Sequence, residues 1–226
     1  MKKSPPFRAF FYFCFICFCM QSCKGQNTEK ASTVQTKNKP TKIVGGMCDG
    51  CDIMYEGMPV LINETDTSDG WNEAGQKLIV TGTVYKLDGK TPAPGIILYY
   101  WQTDNTGRYT PKPGMTEKAS RHGHLRGWVK TDDQGKYRIY TIRPAAYPGE
   151  RIPQHIHFLV KEPNIKNEYY IDDLYFDDDP FLVEEERKKL PQRGGNGIVK
   201  VEKNGTTEFA KFNITLGLNI PDYPKK

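Results

Sequence analysis

Apolar and polar residues alternate along much of this chain in short runs with a period of two. KLIVTGTVYKL (77–87) is the clearest run. GIILYYWQT (95–103), LRGWVKT (125–131), KYRIYTI (136–142), HIHFLV (155–160), YYIDDLYF (169–176), GIVKVEK (197–203) and EFAKFNITLGL (208–218) share its β-type character. β-branched and aromatic residues fill these runs, which suits a pleated, half-buried surface. Turn signals LDGK, DNTG, DDQG and EKNG punctuate them at hairpin spacing. Only PFLVEEERKKL (180–190) suggests a helix, short and with its acids preceding its bases. The pattern predicts an all-β fold, an antiparallel β-sandwich with long loops and little helix.

The first residues break this pattern. Lys2, Lys3 and Arg8 precede the apolar run AFFYFCFICFCM (9–20), and QSC ends at Cys23. A charged start, a short apolar centre and a small residue before a cut site make an export signal. Twelve apolar residues are too few for a bilayer span, which needs about 20. MQSC resembles a loose bacterial lipobox, which implies a lipid on Cys23. The expectation is an exported protein anchored to a membrane at Cys23 and facing the periplasm or the outside. Residues 24–42 have the polar composition of a flexible tether. Residues 43–226 are the size of one domain.

Charge narrows the function classes. Without residues 1–23 the chain loses three bases and keeps 29 against 27 acids. No basic stripe interleaved with aromatics remains, so no nucleic-acid partner is expected. Cys14, Cys17 and Cys19 belong to the apolar run, leaving Cys48 and Cys51 in GGMCDGCD for the folded part. A lone CxxC can be half a zinc site, a redox pair or a small disulfide. With no second CxxC in the folded part, and in an exported protein, a structural disulfide is expected.

Two stretches share the frame Thr-Asp-x-x-Gly-x-Tyr: TDNTGRY (103–109) and TDDQGKY (131–137). In each, the Asp side chain can bond the turn backbone and Gly can take positive φ. Tyr137 opens an alternating strand and reads as a packing residue. Tyr109 instead leads into the long polar loop TPKPGMTEKASRHGH, and long loops in compact domains often carry function. In HIHFLV, His155 and His157 share one strand face while Ile156, Phe158 and Val160 share the other. Alone, HxH fits a metal pair or a solvent face that happens to carry two histidines. Tyr147, held before Pro148 a short loop upstream, adds a second phenol to the set.

Two phenols and two imidazoles point to a hard, strongly charged cation. A phenol ionises near pH 10 unaided, and zinc sites usually use histidine, cysteine and carboxylate. Ferric iron with two phenolates and a hydroxide sums to zero, which suits a site partly shielded from water. Replacing one phenolate and the hydroxide by a doubly ionised catechol keeps that sum.

The order GRY…LRGWVKTDDQGKYRIYTIRPAAYP…HIHFLV resembles the intradiol ring-cleaving dioxygenases, the non-haem ferric enzymes that include catechol and protocatechuate dioxygenases. The resemblance covers roughly residues 77–180. It implies Fe(3+) held by Tyr109, Tyr147, His155 and His157, with Tyr147 displaced by substrate and acting as a base. The substrate class implied is a small aromatic diol, cleaved by O2 between its two hydroxylated carbons. Well-known members carry an Arg three residues before the first His. Here Ile152 stands at that place, with Arg151 beside it and Arg126 of LRGW a second candidate for the role.

The remaining motifs are read as solvated. His122 and His124 sit in a polar loop, and DDLYFDDDP (172–180) lacks the spacing of an EF-hand. No P-loop, GxSxG or HExxH pattern offers a rival enzyme class. Two other readings stay open: a non-catalytic transthyretin-like sandwich at the cell surface, and a catechol- or iron-binding protein with little turnover. The sequence leaves the oligomeric state undecided.

Overall fold

The computed structural model describes residues 42–225, so the signal, Cys23 and most of the tether lie outside the described residues. In chain order the strands are β1 (Thr65–Thr67), β2 (Lys77–Tyr85), β3 (Ile97–Gln102), β4 (Arg126–Lys130), β5 (Lys136–Ile142) and β6 (His155–Lys161). Then come β7 (Tyr169–Tyr170), β8 (Leu174–Phe176), β9 (Ile198–Val199), β10 (Val201–Asn204), β11 (Thr207–Lys211) and β12 (Ile214–Thr215). The helices are short: α1 (Glu117–Ser120), α2 (Glu184–Lys189) and 3₁₀ turns at Cys51–Tyr55 and Asp69–Asn72.

The strands form two sheets. One runs β1-β5-β2-β11-β10, with β12 also on β2; the other runs β4-β3-β6-β8-β9, with β7 also on β6. Leu78, Val80 and Val84 of β2 meet Leu98, Tyr100, Ile156, Phe158 and Val160 of the second sheet in one buried core. The all-β sandwich expected from the alternation is therefore present.

Four pairings are parallel: β1 with β5, β11 and β12 with β2, and β8 with β9. Tight turns dictate antiparallel neighbours, but a strand that returns after a long excursion is free of that constraint. β11 and β12 reach β2 only after the whole second sheet has been laid down, and α2 lies between β8 and β9. The helical segment shortens to Glu184–Lys189 within the expected 180–190, with three acids in its first turn and three bases in its last. The polar loop after Tyr109 is less bare than the sequence suggests. It contains α1, whose N-cap Thr116 accepts a hydrogen bond from the Ala119 amide at 3.0 Å.

The two sheets differ in their outer faces. β2 alternates strictly between buried and half-buried positions, as a one-sided strand does. β3 and β6 are buried on both faces along most of their length. The cover on the outer face of the second sheet begins with the Cys48–Cys51 disulfide, as expected from the sequence. Cys51 and Met54 pack there on Tyr99, Trp101 and Leu159. The Trp128 indole donates to the Met54 carbonyl at 2.7 Å and fixes the cover in place. The functional candidates stand on this same outer face.

Candidate metal centre

His155 and His157 project from β6 away from the sandwich core, while Ile156 and Phe158 enter it. Each imidazole is oriented from behind. The Nδ1 of His155 lies 2.7 Å from the Pro153 carbonyl oxygen, and that of His157 lies 2.9 Å from Asp173 Oδ1. A carbonyl and a carboxylate can only accept, so both Nδ1 atoms carry a proton, and in the neutral, ligating rings both Nε2 atoms are bare lone pairs.

The phenols arrive on two turns that press together. Asp104 Oδ1 accepts from the amides of Thr106 and Arg108 at 2.8 and 3.2 Å, closing the turn before Tyr109. Gly107 in that turn has φ 77°, and a Cβ there would collide with the carbonyl oxygen of Ala146, next to Tyr147. Gly123, at φ 65°, likewise lets the RHGHL loop pass within reach of the Tyr109 backbone. Glycine is needed at both places for the close approach as well as for the conformation.

Four donor atoms converge as a result. Tyr109 Oη lies 2.7 Å from Tyr147 Oη and 2.9 Å from His157 Nε2. Tyr147 Oη lies 3.3 Å from His155 Nε2, and the two Nε2 atoms are 3.2 Å apart. Two phenolic protons cannot serve four such contacts, and none is available between the two Nε2 atoms. A cation among the four resolves this. Bonds of about 2.0–2.1 Å to a first-row metal place neighbouring donors about 3 Å apart, close to the separations present. The donor set thus fits a metal ion. Burial raises both phenols above the ordinary tyrosine range, Tyr109 further through its bond to Tyr147. Burial, then the neighbouring His157, lowers His155 and favours its neutral, ligating form.

The surroundings correct three expectations. His122 and His124 are buried rather than solvated. The His122 ring stacks on Trp101 at 4.1 Å and lies 2.8 Å through Nδ1 from the Tyr99 hydroxyl. Burial first, then the neighbouring His157, pushes His122 down to about 3. Trp101 also stacks on His157 at 4.7 Å, so an aromatic wall backs the donors. His124 is held between the Thr110 carbonyl at 2.6 Å and Glu73 at 2.9 Å.

The acidic stretch is not a solvated turn either. Asp172 accepts from the amides of Gln192 and Arg193, and Asp179 from those of Gln154 and Phe181. Asp177 pairs with Arg187, and Asp178 with Arg143. Asp173 alone turns to the donor set, and sequence reasoning missed it. Burial pushes its carboxyl upward, but the adjacent His157 outweighs this and holds it below the usual range.

Neither candidate arginine is brought to the donors. Arg126 lies opposite Trp101 on β4, one strand beyond the strand that neighbours His157. Its guanidinium packs over Trp128 at 5.0 Å and Tyr99 at 5.6 Å and donates to the Glu56 carbonyl. It borders a groove of about 580 Å³ that none of the four donors lines. Arg151 is exposed, with its guanidinium 5.4 Å from the Phe181 ring. Ile152, at the place that the family resemblance would give to an arginine, is itself 41% exposed.

Comparison with known proteins agrees with this architecture. Residues 54–193 match the family model described as dioxygenase. The protocatechuate 3,4-dioxygenase beta chain of Burkholderia cepacia is 32% identical over 119 residues, 48% of this chain and 48% of that protein. Catechol 1,2-dioxygenase 2 of Acinetobacter lwoffii is 28% identical over 143 residues, 56% of this chain and 49% of that protein. The chain thus spans about half the length of these curated relatives. Among solved structures, the dioxygenase domain of a carbohydrate-binding fusion protein from Streptomyces sp. SirexAA-E is 25% identical with a TM-score of 0.51. That match covers 71% of this chain and 96% of the domain. Motif order, sandwich and family match coincide, and the chain belongs to the intradiol ring-cleavage dioxygenase family.

Proposed function

We propose that the chain holds ferric iron through Tyr109, Tyr147, His155 and His157 and uses O2 to cleave a small catechol between its hydroxylated carbons. The convergence of four donor atoms that lack protons for their mutual contacts carries this reading. Ferric iron there supplies the Lewis acidity that keeps phenolates and a catecholate ionised at neutral pH. The chain's own residues divide the remaining work. Tyr147 makes the longest phenol-to-imidazole contact, 3.3 Å against 2.9 Å for Tyr109. It also rides on a loop whose next three residues are exposed. Its Oη is thus the one suited to leave and to take a proton from an arriving catechol hydroxyl. His155 and His157 stay fixed by Pro153 and Asp173, and Trp101 closes one side against water.

The test pairs the two Tyr turns. The isolated protein should bind about one ferric ion, show a visible phenolate-to-iron band and consume oxygen with a panel of catechols. Tyr109→Phe should change that band. Tyr137→Phe should leave it alone and cost about 1–2 kcal/mol of stability, because the buried Tyr137 hydroxyl donates only to the Phe212 carbonyl at 2.7 Å. A colourless protein that prefers zinc under air overturns the reading and returns the non-catalytic sandwich. A second reading, iron or catechol binding with little turnover, draws on one observation: neither Arg126 nor Arg151 reaches the donors. Appearance of ring-opened product decides between the two.

The proposal includes export and a lipid at Cys23, supported by the charged, apolar and MQSC order of the first 23 residues. Among the described residues no helix is long and apolar enough to cross a membrane. Cys23→Ser should release the protein from membranes or block its processing, as fractionation and N-terminal mass would show. A Cys23→Ser protein that is processed and partitions to membranes as wild type does would refute the anchor.

A further inference from the structure

β8 pairs antiparallel with β6, His155 opposite Tyr175 and Ile156 opposite Leu174. Continuing that register by one residue places Asp173 beside His157. Its carboxylate is spent on nothing else. The other four acids of 172–179 each serve a backbone amide or an arginine. Among the described residues Asp173 pairs with no Lys or Arg; its partners are His157 at 2.9 Å and, further off, the Tyr175 hydroxyl at 3.4 Å. A carboxylate kept without Lys or Arg at a largely shielded position needs positive charge nearby.

The charge count says what that positive charge is. Two phenolates and a hydroxide already balance a trivalent ion. Asp173 adds one more negative charge close by, and its attraction grows with the charge of the cation, so it favours a trivalent over a divalent ion. We infer that Asp173 is a positioning residue of the proposed centre, holding His157 with Nε2 toward the donors and supplying a further negative charge that favours a trivalent over a divalent cation. This rests on the four-donor reading above and extends it to the choice of metal. The carboxylate also makes His157 a stronger donor, the usual effect of a charged partner behind a ligating imidazole.

Asp173→Asn keeps an acceptor oxygen and removes the charge. The full chain should be titrated with ferric nitrilotriacetate and with zinc chloride. Ferric affinity should fall about 10–100-fold, the range for losing such a partner, while zinc affinity holds or rises. The visible band should move to longer wavelength as His157 donates less. Asp173→Glu should restore the ferric preference. Asp172→Asn, which puts an NH2 donor in place of the acceptor for one of its two backbone amides, should lower stability without altering the metal ratio or the band. An Asp173→Asn protein with the wild-type ratio and band overturns the inference. If wild type takes no ferric iron, the four-donor reading and the metal preference fall together. Nitrogen chemical shifts of His157 in the metal-free protein then judge the positioning role alone. A fixed Nδ1–H tautomer in wild type that becomes mixed in Asp173→Asn sustains it, and identical tautomers refute it.

Discussion

A chain carrying His157→Ala will fold but take up no ferric iron, and its neighbour in sequence will behave in the opposite way. His157 gives one of the four convergent donor atoms and is the partner of Asp173. Its loss leaves three donors and a carboxylate without its counter-group. Ferric binding should drop below detection at micromolar metal, with the visible band absent. Stability of the metal-free protein should fall by only about 1–3 kcal/mol, the cost of an unmet polar partner. Phe158→Ala, one residue along and facing the sandwich core at 0% exposure, should cost about 3–5 kcal/mol. Any Phe158→Ala protein that folds should still bind iron and show the band. Metal analysis and thermal unfolding of both variants check the pair. Iron retained by His157→Ala would remove this histidine from the donor set.

Gly107→Ala should damage the centre more than the fold. The position has φ 77°, where a Cβ costs about 1–2 kcal/mol. The larger effect is the collision of that Cβ with the Ala146 carbonyl, which forces apart the turns carrying Tyr109 and Tyr147. Their hydroxyls lie 2.7 Å apart, and a shift of about 1 Å is enough to spoil a preorganised constellation. Ferric affinity should therefore fall at least about tenfold, while the thermal midpoint moves by a few degrees. A titration showing wild-type affinity would mean that the phenols are held by something other than this contact.

Much of this was legible because it rests on short-range rules. Period-two alternation marked the long strands, and it also placed His155 and His157 on one face with Phe158 on the other. Loop context separated Tyr109 from Tyr137, and the structure puts the first among the donors and the second in the core. What stayed hidden depends on register and cover. Asp173 read as solvated because nothing local says that β8 pairs with β6, and only that pairing sets it beside His157. His122 read as a loop residue until Trp101 and Tyr99 were seen to bury it. The cover at Cys51–Tyr55 is too short to show periodicity, yet it makes the second sheet two-sided. The placement of the two arginines also depends on cover: Arg151 lies over Phe181, and Arg126 over Trp128 and Tyr99.

The four donors are not equally stiff, and this divides the site mechanically. The imidazoles belong to β6, which is paired with strands on both edges and packed on both faces. Such backbone opens only when the whole domain does. The phenols hang from two turns, and Pro148, Gly149 and Glu150 beside Tyr147 are exposed. Turns of that kind fluctuate on nanosecond to microsecond scales. The Tyr147 phenol can therefore swing aside for a flat guest while the imidazoles keep their place. The slow clock of unfolding governs loss of the centre, and the fast clock of a loop governs entry to it.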